Sequence, residues 1–193
     1  MSKAIEKSVL ILEHNKKFAH TLALQVLDRP KLSVWMILIP IIFVYYFYQY
    51  QKFTNDRKMF AEHYLISRKH ALDEAVEVIN TGRKPDTIKL AKLSDVPDDA
   101  LEQQAEMLAV LVEHYATLLG SDGEDFESLV RSAYSSRSGY LLFLNHLNQA
   151  EKAVNKVLKP HLKKSFEGID DTVSNIESWS EKLRREEAEN IFS

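Results

Sequence analysis

Histidine and carboxylate side chains are the groups in this sequence whose types and spacing could do chemistry. His63 and His70 are seven residues apart and would share one face of a helix, with Ser67 between them and Glu74 one turn beyond. Such a face could form a pH-sensitive or metal-binding patch. The simpler interpretation, which we favour, is a polar outer stripe in which His70 contacts Glu74.

A second group of candidates, Glu113, His114 and His146, raises the question of a metal site inside a helical bundle. A di-iron bundle needs Glu-x-x-His on two helices, and the sequence contains no such motif. Neighbouring residues such as Glu113 and His114 also point in different directions from a helix. H-E-x-x-H, G-x-S-x-G and Walker A motifs are absent as well. We therefore predict a protein that is not an enzyme, with no catalytic residue, metal, cofactor or small-molecule substrate.

Composition narrows the class of protein further. The 193 residues carry 25 basic and 28 acidic side chains, for a net charge of −3. Residues 1–31 hold a net charge of +3 and the remainder −6, which argues against a nucleic-acid partner because such partners need a basic face. There is no cysteine, so disulfide and thiolate chemistry are excluded. Glycine and proline number only five each, and the composition favours helices.

Twenty consecutive residues, 32–51, carry no charge, and this run is the strongest signal in the sequence. A helix of that length matches the about 30 Å hydrocarbon core of a bilayer, so we predict a transmembrane helix. The proline near its middle would kink the helix and leaves two topologies open: a spanning helix, which the length favours, and a re-entrant hairpin. Aromatic residues at both ends are typical of a membrane interface. The predicted membrane-interface residues are Trp35, Pro40, Tyr45, Tyr46, Tyr48 and Tyr50.

This run also predicts where the protein is located. We expect an integral, single-pass membrane protein with the lipid bilayer as a partner. Basic residues are almost equally frequent on the two sides of the run, so the positive-inside rule decides the orientation poorly. The six basic residues that precede it slightly favour a cytoplasmic amino end, with the carboxyl domain on the opposite side of the membrane.

Apolar residues recur at helical spacing through most of the remaining chain. Residues 3–27 predict an amphipathic helix that lies on lipid headgroups, or else packs on the carboxyl domain or a partner. No helix breaker lies between Tyr50 and Asn80, so the membrane helix would continue to Thr81. Two later segments carry narrow a/d seams that must be covered within the chain or between chains. The predicted interaction seam consists of Leu101, Leu108, Val112, Tyr115, Tyr140, Phe143, Leu147, Val154 and Val157.

Together these patterns predict an all-α protein in three parts. Residues 1–31 form an amphipathic, basic amino-terminal helix, and residues 32–51 form one transmembrane helix. Residues 52–193 form an antiparallel helical bundle or coiled-coil-like domain, because helices of this length with short connections bury their stripes against one another.

The stretch from Leu32 to Tyr48, with Asp28-Arg29-Pro30 before it and Leu65-Ile-Ser-Arg-Lys69 after it, resembles a family of small bacterial single-span membrane proteins of unknown function. The likeness covers about a third of the chain. It implies a bacterial source, and hence the inner membrane, and it supplies no catalytic or binding residue.

The function that these features indicate is that of a membrane-anchored helical scaffold or interaction module. An uncovered seam exposes several large apolar groups, each contributing roughly 1.5–3 kcal/mol when buried, so a protein partner or a second copy could cover it. Two alternatives stay open: a small accessory subunit of a larger membrane protein complex, and a membrane-linked sensor whose bundle relays a displacement.

Overall fold

Helices make up nearly all of the described chain, and their apolar stripes explain why. The computed structural model describes residues 3–27, 56–94, 96–163 and 169–193. Within these ranges there are seven α-helices, one short 3-10 turn at Asp98–Ala100 and no strand, so the all-α prediction is confirmed. The helices are α1 (Lys3–Leu27), α2 (Asp56–Thr81), α3 (Thr87–Leu93), α4 (Leu101–Gly120), α5 (Phe126–Tyr134), α6 (Arg137–Lys163) and α7 (Ile169–Ile191).

Local chemistry sets several of the helix ends. Gly82 has φ 69° and its amide donates to the carbonyl of Val78, so it closes α2 in the left-handed conformation that glycine adopts without strain. Helix α5 begins with a reciprocal capping box between Asp125 and Ser128. Helix α6 continues through Pro160 to Lys163.

Five of the helices form a closed ring. In order around the ring, α2 packs against α4, α4 against α6, α6 against α7, α7 against α1, and α1 against α2. Helix α3 lies on α4, while the short α5 contacts α4, α6 and α7 at one end. The apolar stripes of all five ring helices face inward, which is how amphipathic helices bury their surface.

Helix α1 is an integral part of this ring and runs antiparallel to α2. Ile11 lies in the same apolar cluster as Ala71 and Leu72, in the second half of α2. Further along α1, Leu22 packs with Tyr64, near the start of α2, and with Ile176 of α7. Of the alternatives left open for residues 3–27, packing on the carboxyl domain is the one that the structure shows.

The predicted location is contradicted. No helix within the described residues combines the length and the apolar character needed to cross a membrane, so the assignment to a bacterial inner membrane as an integral, single-pass protein is wrong. The packing of α1 also conflicts with an amino end and a carboxyl domain on opposite sides of a membrane. The segment 32–51 and its interface residues, Trp35, Pro40, Tyr45, Tyr46, Tyr48 and Tyr50, lie outside the described residues.

The predicted seams are covered by helices of the same chain. Six of the nine seam residues are buried, and the other three are partly buried against the same core. The buried ones are Leu108, Val112, Tyr115, Tyr140, Leu147 and Val154, and the partly buried ones are Leu101, Phe143 and Val157. A surface for another molecule therefore has to be sought on the outside of the ring.

The contrast between Leu108 and Leu93 tests this core. Leu108 is fully buried and Leu93 is 58% exposed. We expect Leu108→Ala to lower the free energy of unfolding by about 2–5 kcal/mol, because it removes buried methyl groups and leaves a cavity. Leu93→Ala should cost less than about 0.5 kcal/mol. Denaturant titrations of both variants would measure the difference, and equal losses would contradict the ring described above.

Candidate functional site

The interior of the ring contains a cluster of three charged side chains from three helices. Arg68 of α2 donates from Nη2 to Oε1 of Glu151 on α6 over 2.7 Å. Arg184 of α7 donates to both oxygens of the same carboxylate, over 2.7 Å each, as a bidentate pair. The Arg68 and Arg184 side chains are only 7% and 4% exposed. Two buried guanidinium groups thus share one carboxylate.

Neighbouring groups hold this cluster in place. Arg184 also donates to the hydroxyl of Tyr64 over 3.3 Å and to the side-chain oxygen of Asn148. The guanidinium of Arg68 lies over the ring of Tyr64, 3.5 Å from its centroid, in a cation–π contact. Burial alone would raise the pKa of Glu151, but the attraction of Arg184 and Arg68 prevails and lowers that pKa to about 2. The carboxylate therefore stays charged in the folded protein.

A second polar network lies beside the first and reaches the surface. Tyr140 donates to Oε1 of Glu187 over 2.6 Å, and Nε2 of His14 lies 3.1 Å from Oε2 of the same carboxylate. His14 stacks on Phe126 with ring centroids 3.4 Å apart. Burial, and then the charge of Glu187, raise the pKa of Tyr140 well above its ordinary value, so its hydroxyl remains a donor. His14 and Glu187 are partly exposed and mark the outer limit of the polar interior.

His114, a candidate from the sequence, is buried and neutral. Its ring stacks on Phe143 with centroids 3.9 Å apart, and its Nδ1 lies 2.7 Å from the hydroxyl of Tyr134. Burial, followed by electrostatic interactions with His14 and Arg184, lowers its pKa to about 3. A neutral imidazole with one nitrogen already hydrogen-bonded serves here as a packed aromatic group.

The two networks enclose a cavity of about 40 Å³, which we call the interior chamber. The polar residues that line it include Arg68, Tyr115, Arg184 and Glu187, and the apolar ones include Phe18 and Phe126. The side chain of Asn15 donates to the Tyr115 hydroxyl over 3.0 Å. Since a water molecule needs about 10–15 Å³ of such space, the chamber has room for about three or four waters.

On the outside of the ring, α4 and α6 form the walls of a larger depression of about 510 Å³. Leu142 is its most prominent feature, being 72% exposed, more than any other large hydrophobic residue within the described part of the chain. Val110, Tyr134 and Phe143 supply further apolar surface, and Glu113 and His146 lie along its sides. We call this depression the Leu142 groove.

Among the remaining sequence candidates, the side chain of His63 lies outside the described part of the structure, and the others do not form a metal site. Glu74 binds Arg83 through both carboxylate oxygens at 2.7 Å and accepts from the backbone amide of Asp86 at 2.8 Å, rather than contacting His70. Ser67 is buried and His70 half-buried in α2. Glu113, His114 and His146 do share the Leu142 groove. Across residues 3–27, 56–94, 96–163 and 169–193, however, no three His, Asp or Glu side chains are placed to hold a metal ion.

Sequence reasoning missed the charged cluster, although a signal for it existed. Arg68 lies four residues after Tyr64 and three before Ala71, on the stripe that faces the core. Glu151 likewise falls between the seam residues Leu147 and Val154. A charged residue at a core-facing position of an apolar seam is rare unless it is paired, so it indicates a buried partner.

Removing the shared carboxylate tests how much the cluster matters. Glu151→Gln keeps the size of the side chain but leaves two buried guanidinium groups without an anion, so we expect a loss of about 3–5 kcal/mol in the free energy of unfolding. The control is Glu181→Gln, which removes a carboxylate from the surface pair with Lys152 and should cost less than about 1 kcal/mol. Similar losses in denaturant titrations would contradict the importance of the buried cluster.

Comparing wild type with Glu151→Gln also gives a pH prediction. The pKa of Glu151 is lowered in the folded protein from 4.5 to about 2, so its pairing stabilises the fold above pH 4.5. That contribution disappears as the pH falls from 4.5 through 2, where the carboxylate becomes protonated. The difference in unfolding free energy between wild type and Glu151→Gln should therefore narrow over this range and stay constant between about pH 6 and 7.

Comparisons with known proteins do not extend this picture. The resemblance to small bacterial membrane proteins is not tested by them and stays a prediction. No protein-family model, no curated protein and no solved structure matches the chain significantly.

Proposed function

We propose that this protein is a non-enzymatic helical interaction module that binds one helix of a partner protein in the Leu142 groove. The observation that carries the proposal is the 72% exposure of Leu142 inside a depression with further apolar walls. A single exposed leucine is ordinary on a protein surface, whereas one set in a groove beside Val110 and Phe143 is typical of a binding site.

The shape of the groove supports a helical partner. Along α6, Leu142, His146 and Gln149 follow the spacing of one helix face, and along α4 the groove is lined by Val110, Glu113 and Thr117. Two neighbouring helices thus present parallel rows with a gap between them. The lining of α6 extends from residue 139 to residue 149, about 15 Å at 1.5 Å per residue, which accommodates almost three turns of a third helix.

The charges along the groove indicate which helix would fit. Glu113 is the one acidic residue that lines it, and no lysine or arginine does so among the described residues. A complementary helix therefore has an apolar face that covers Leu142 and a basic residue opposite Glu113. Such a partner is equally compatible with a free scaffold and with an accessory subunit of a larger complex.

Site-specific photo-crosslinking in cells would test this proposal. A photoreactive residue at Asn145, on the exposed side of the groove, should form a discrete adduct with a partner protein. Leu142→Glu should reduce the yield of that adduct about tenfold or more, because burying a leucine contributes roughly 1.5–3 kcal/mol and each 1.4 kcal/mol is tenfold in affinity. Leu93→Glu, which changes another exposed leucine, on α3, should leave the adduct unchanged.

The charge of the partner gives a second criterion. Glu113→Lys should lower the yield of the adduct. Replacing the basic residue of the identified partner helix by glutamate should then restore that yield. An adduct that persists in Leu142→Glu, or that disappears equally in Leu93→Glu, would contradict the proposed groove. If the adduct forms only between two copies of this chain, the groove binds a second copy instead of a helix from another protein.

A further inference from the structure

We propose that the residue by which the partner helix is recognised in the Leu142 groove is an arginine, whose guanidinium group pairs with the Glu113 carboxylate and lies against the rings of Tyr134 and Phe143. This inference rests on the function proposed above and adds to it the type of the basic residue and its spacing in the partner helix. The arginine is three or four positions from the apolar residue that covers Leu142.

The Glu113 carboxylate has no cation beside it. The residue is exposed, and neither a salt bridge nor a side-chain hydrogen bond engages its carboxylate within the described part of the chain. Helix α4 contains no lysine or arginine, and α6 contains none from Ser138 to Glu151. A partner that brings a guanidinium group to this groove therefore gains an ion pair without breaking an existing one.

Aromatic rings line the groove together with this carboxylate. The partly buried rings of Tyr134 and Phe143 have centroids 5.7 Å apart, and both line the groove. Burial, and then the charge of Glu113, raise the pKa of Tyr134, so the carboxylate acts on this phenol and the phenol stays neutral. An anion without a counterion beside neutral aromatic rings attracts a cation both by its charge and by cation–π interaction.

Arginine fits these surroundings better than lysine does. Its planar guanidinium group can donate two parallel hydrogen bonds to a carboxylate, and the same plane can stack on an aromatic ring. The ammonium group of lysine is a compact charge that binds water more strongly, so contact with a ring costs it more hydration. We therefore expect the groove to prefer arginine to lysine.

The stacked pair of His114 and Phe143 sets the spacing. His114 of α4 stacks on Phe143 of α6 with ring centroids 3.9 Å apart. The residues that precede them, Glu113 and Leu142, both line the groove and thus lie at about the same level on its two walls. A helix between two walls presents to them alternate residues that are three or four positions apart. The arginine and the apolar residue over Leu142 therefore have this separation.

A displayed library of helical peptides of about 14 residues would test the proposal, since such a helix is about 21 Å long and covers the groove. Selection would use the full chain, with counter-selection on Leu142→Glu, so that only peptides that need the groove are kept. We expect arginine to recur three or four positions from a large apolar residue. Selection on Glu113→Gln should abolish this recurrence. Glu102→Gln, which neutralises another exposed carboxylate near the start of α4, should preserve it.

Fluorescence anisotropy with one recovered peptide would then measure the contribution of the arginine. Replacing that arginine by glutamine should weaken binding to wild type at least fivefold and binding to Glu113→Gln less than twofold, because the ion pair is present only in wild type. Replacing it by lysine should weaken binding to wild type at least twofold. This preference for arginine should disappear in Tyr134→Leu, which removes a ring from the groove.

The possible failures are distinguishable. Peptides that need Leu142 but carry no recurrent arginine, or that bind equally well with lysine, would overturn the arginine and leave the proposed function intact. Arginine that recurs equally on Glu113→Gln would overturn it as well. If no peptide distinguishes wild type from Leu142→Glu, the proposed function and this inference are both wrong.

Discussion

The carboxylate of Glu151 connects helices that are not all neighbours in the ring. Its helix, α6, is separated from α2 by α4 in the ring, yet the side chain binds Arg68 of α2 as well as Arg184 of α7. Apolar packing tolerates small slides between helices, whereas a bidentate ion pair does not. Moving either arginine helix by one turn, about 5.4 Å, would separate the guanidinium from its only carboxylate and leave charges buried without partners.

This arrangement accounts for the unusual interior of the protein. Most helical bundles of this size fill the centre with apolar side chains, but here five ring helices enclose tyrosines, histidines and charged side chains around a small chamber. The geometry of the cluster offsets the desolvation of the charges, since every oxygen of Glu151 accepts a charged hydrogen bond at 2.7 Å. The apolar core around it, represented by Leu108 and Leu118, supplies the burial that drives folding. The charged cluster thus fixes the register of the helices within that core.

Much of the helical architecture could be predicted from the sequence, because periodicity is a local property. The seams around Leu108 and Leu147 and the end of α2 at Gly82 were recognised in this way. The sharing of the Glu151 carboxylate could not be predicted, since Arg68 and Arg184 are 116 positions apart in the chain and only the closed ring brings them together. The Leu142 groove was equally hidden, because a helix pattern does not show which faces remain uncovered. The predicted location was wrong for a related reason: an uncharged run carries no information about how the flanking helices pack.

The closure of the ring by α1 and α7 has a consequence for how the protein is made. The first helix of the chain packs on the last one, and Lys7 of α1 donates to the carbonyl of Leu119 at the end of α4. Synthesis proceeds from the amino end at about 5–20 residues per second. Roughly ten seconds or more therefore pass between the synthesis of α1 and that of α7, which covers part of the apolar face of α1. During that interval the apolar face of α1 lacks the helix that covers part of it in the folded protein.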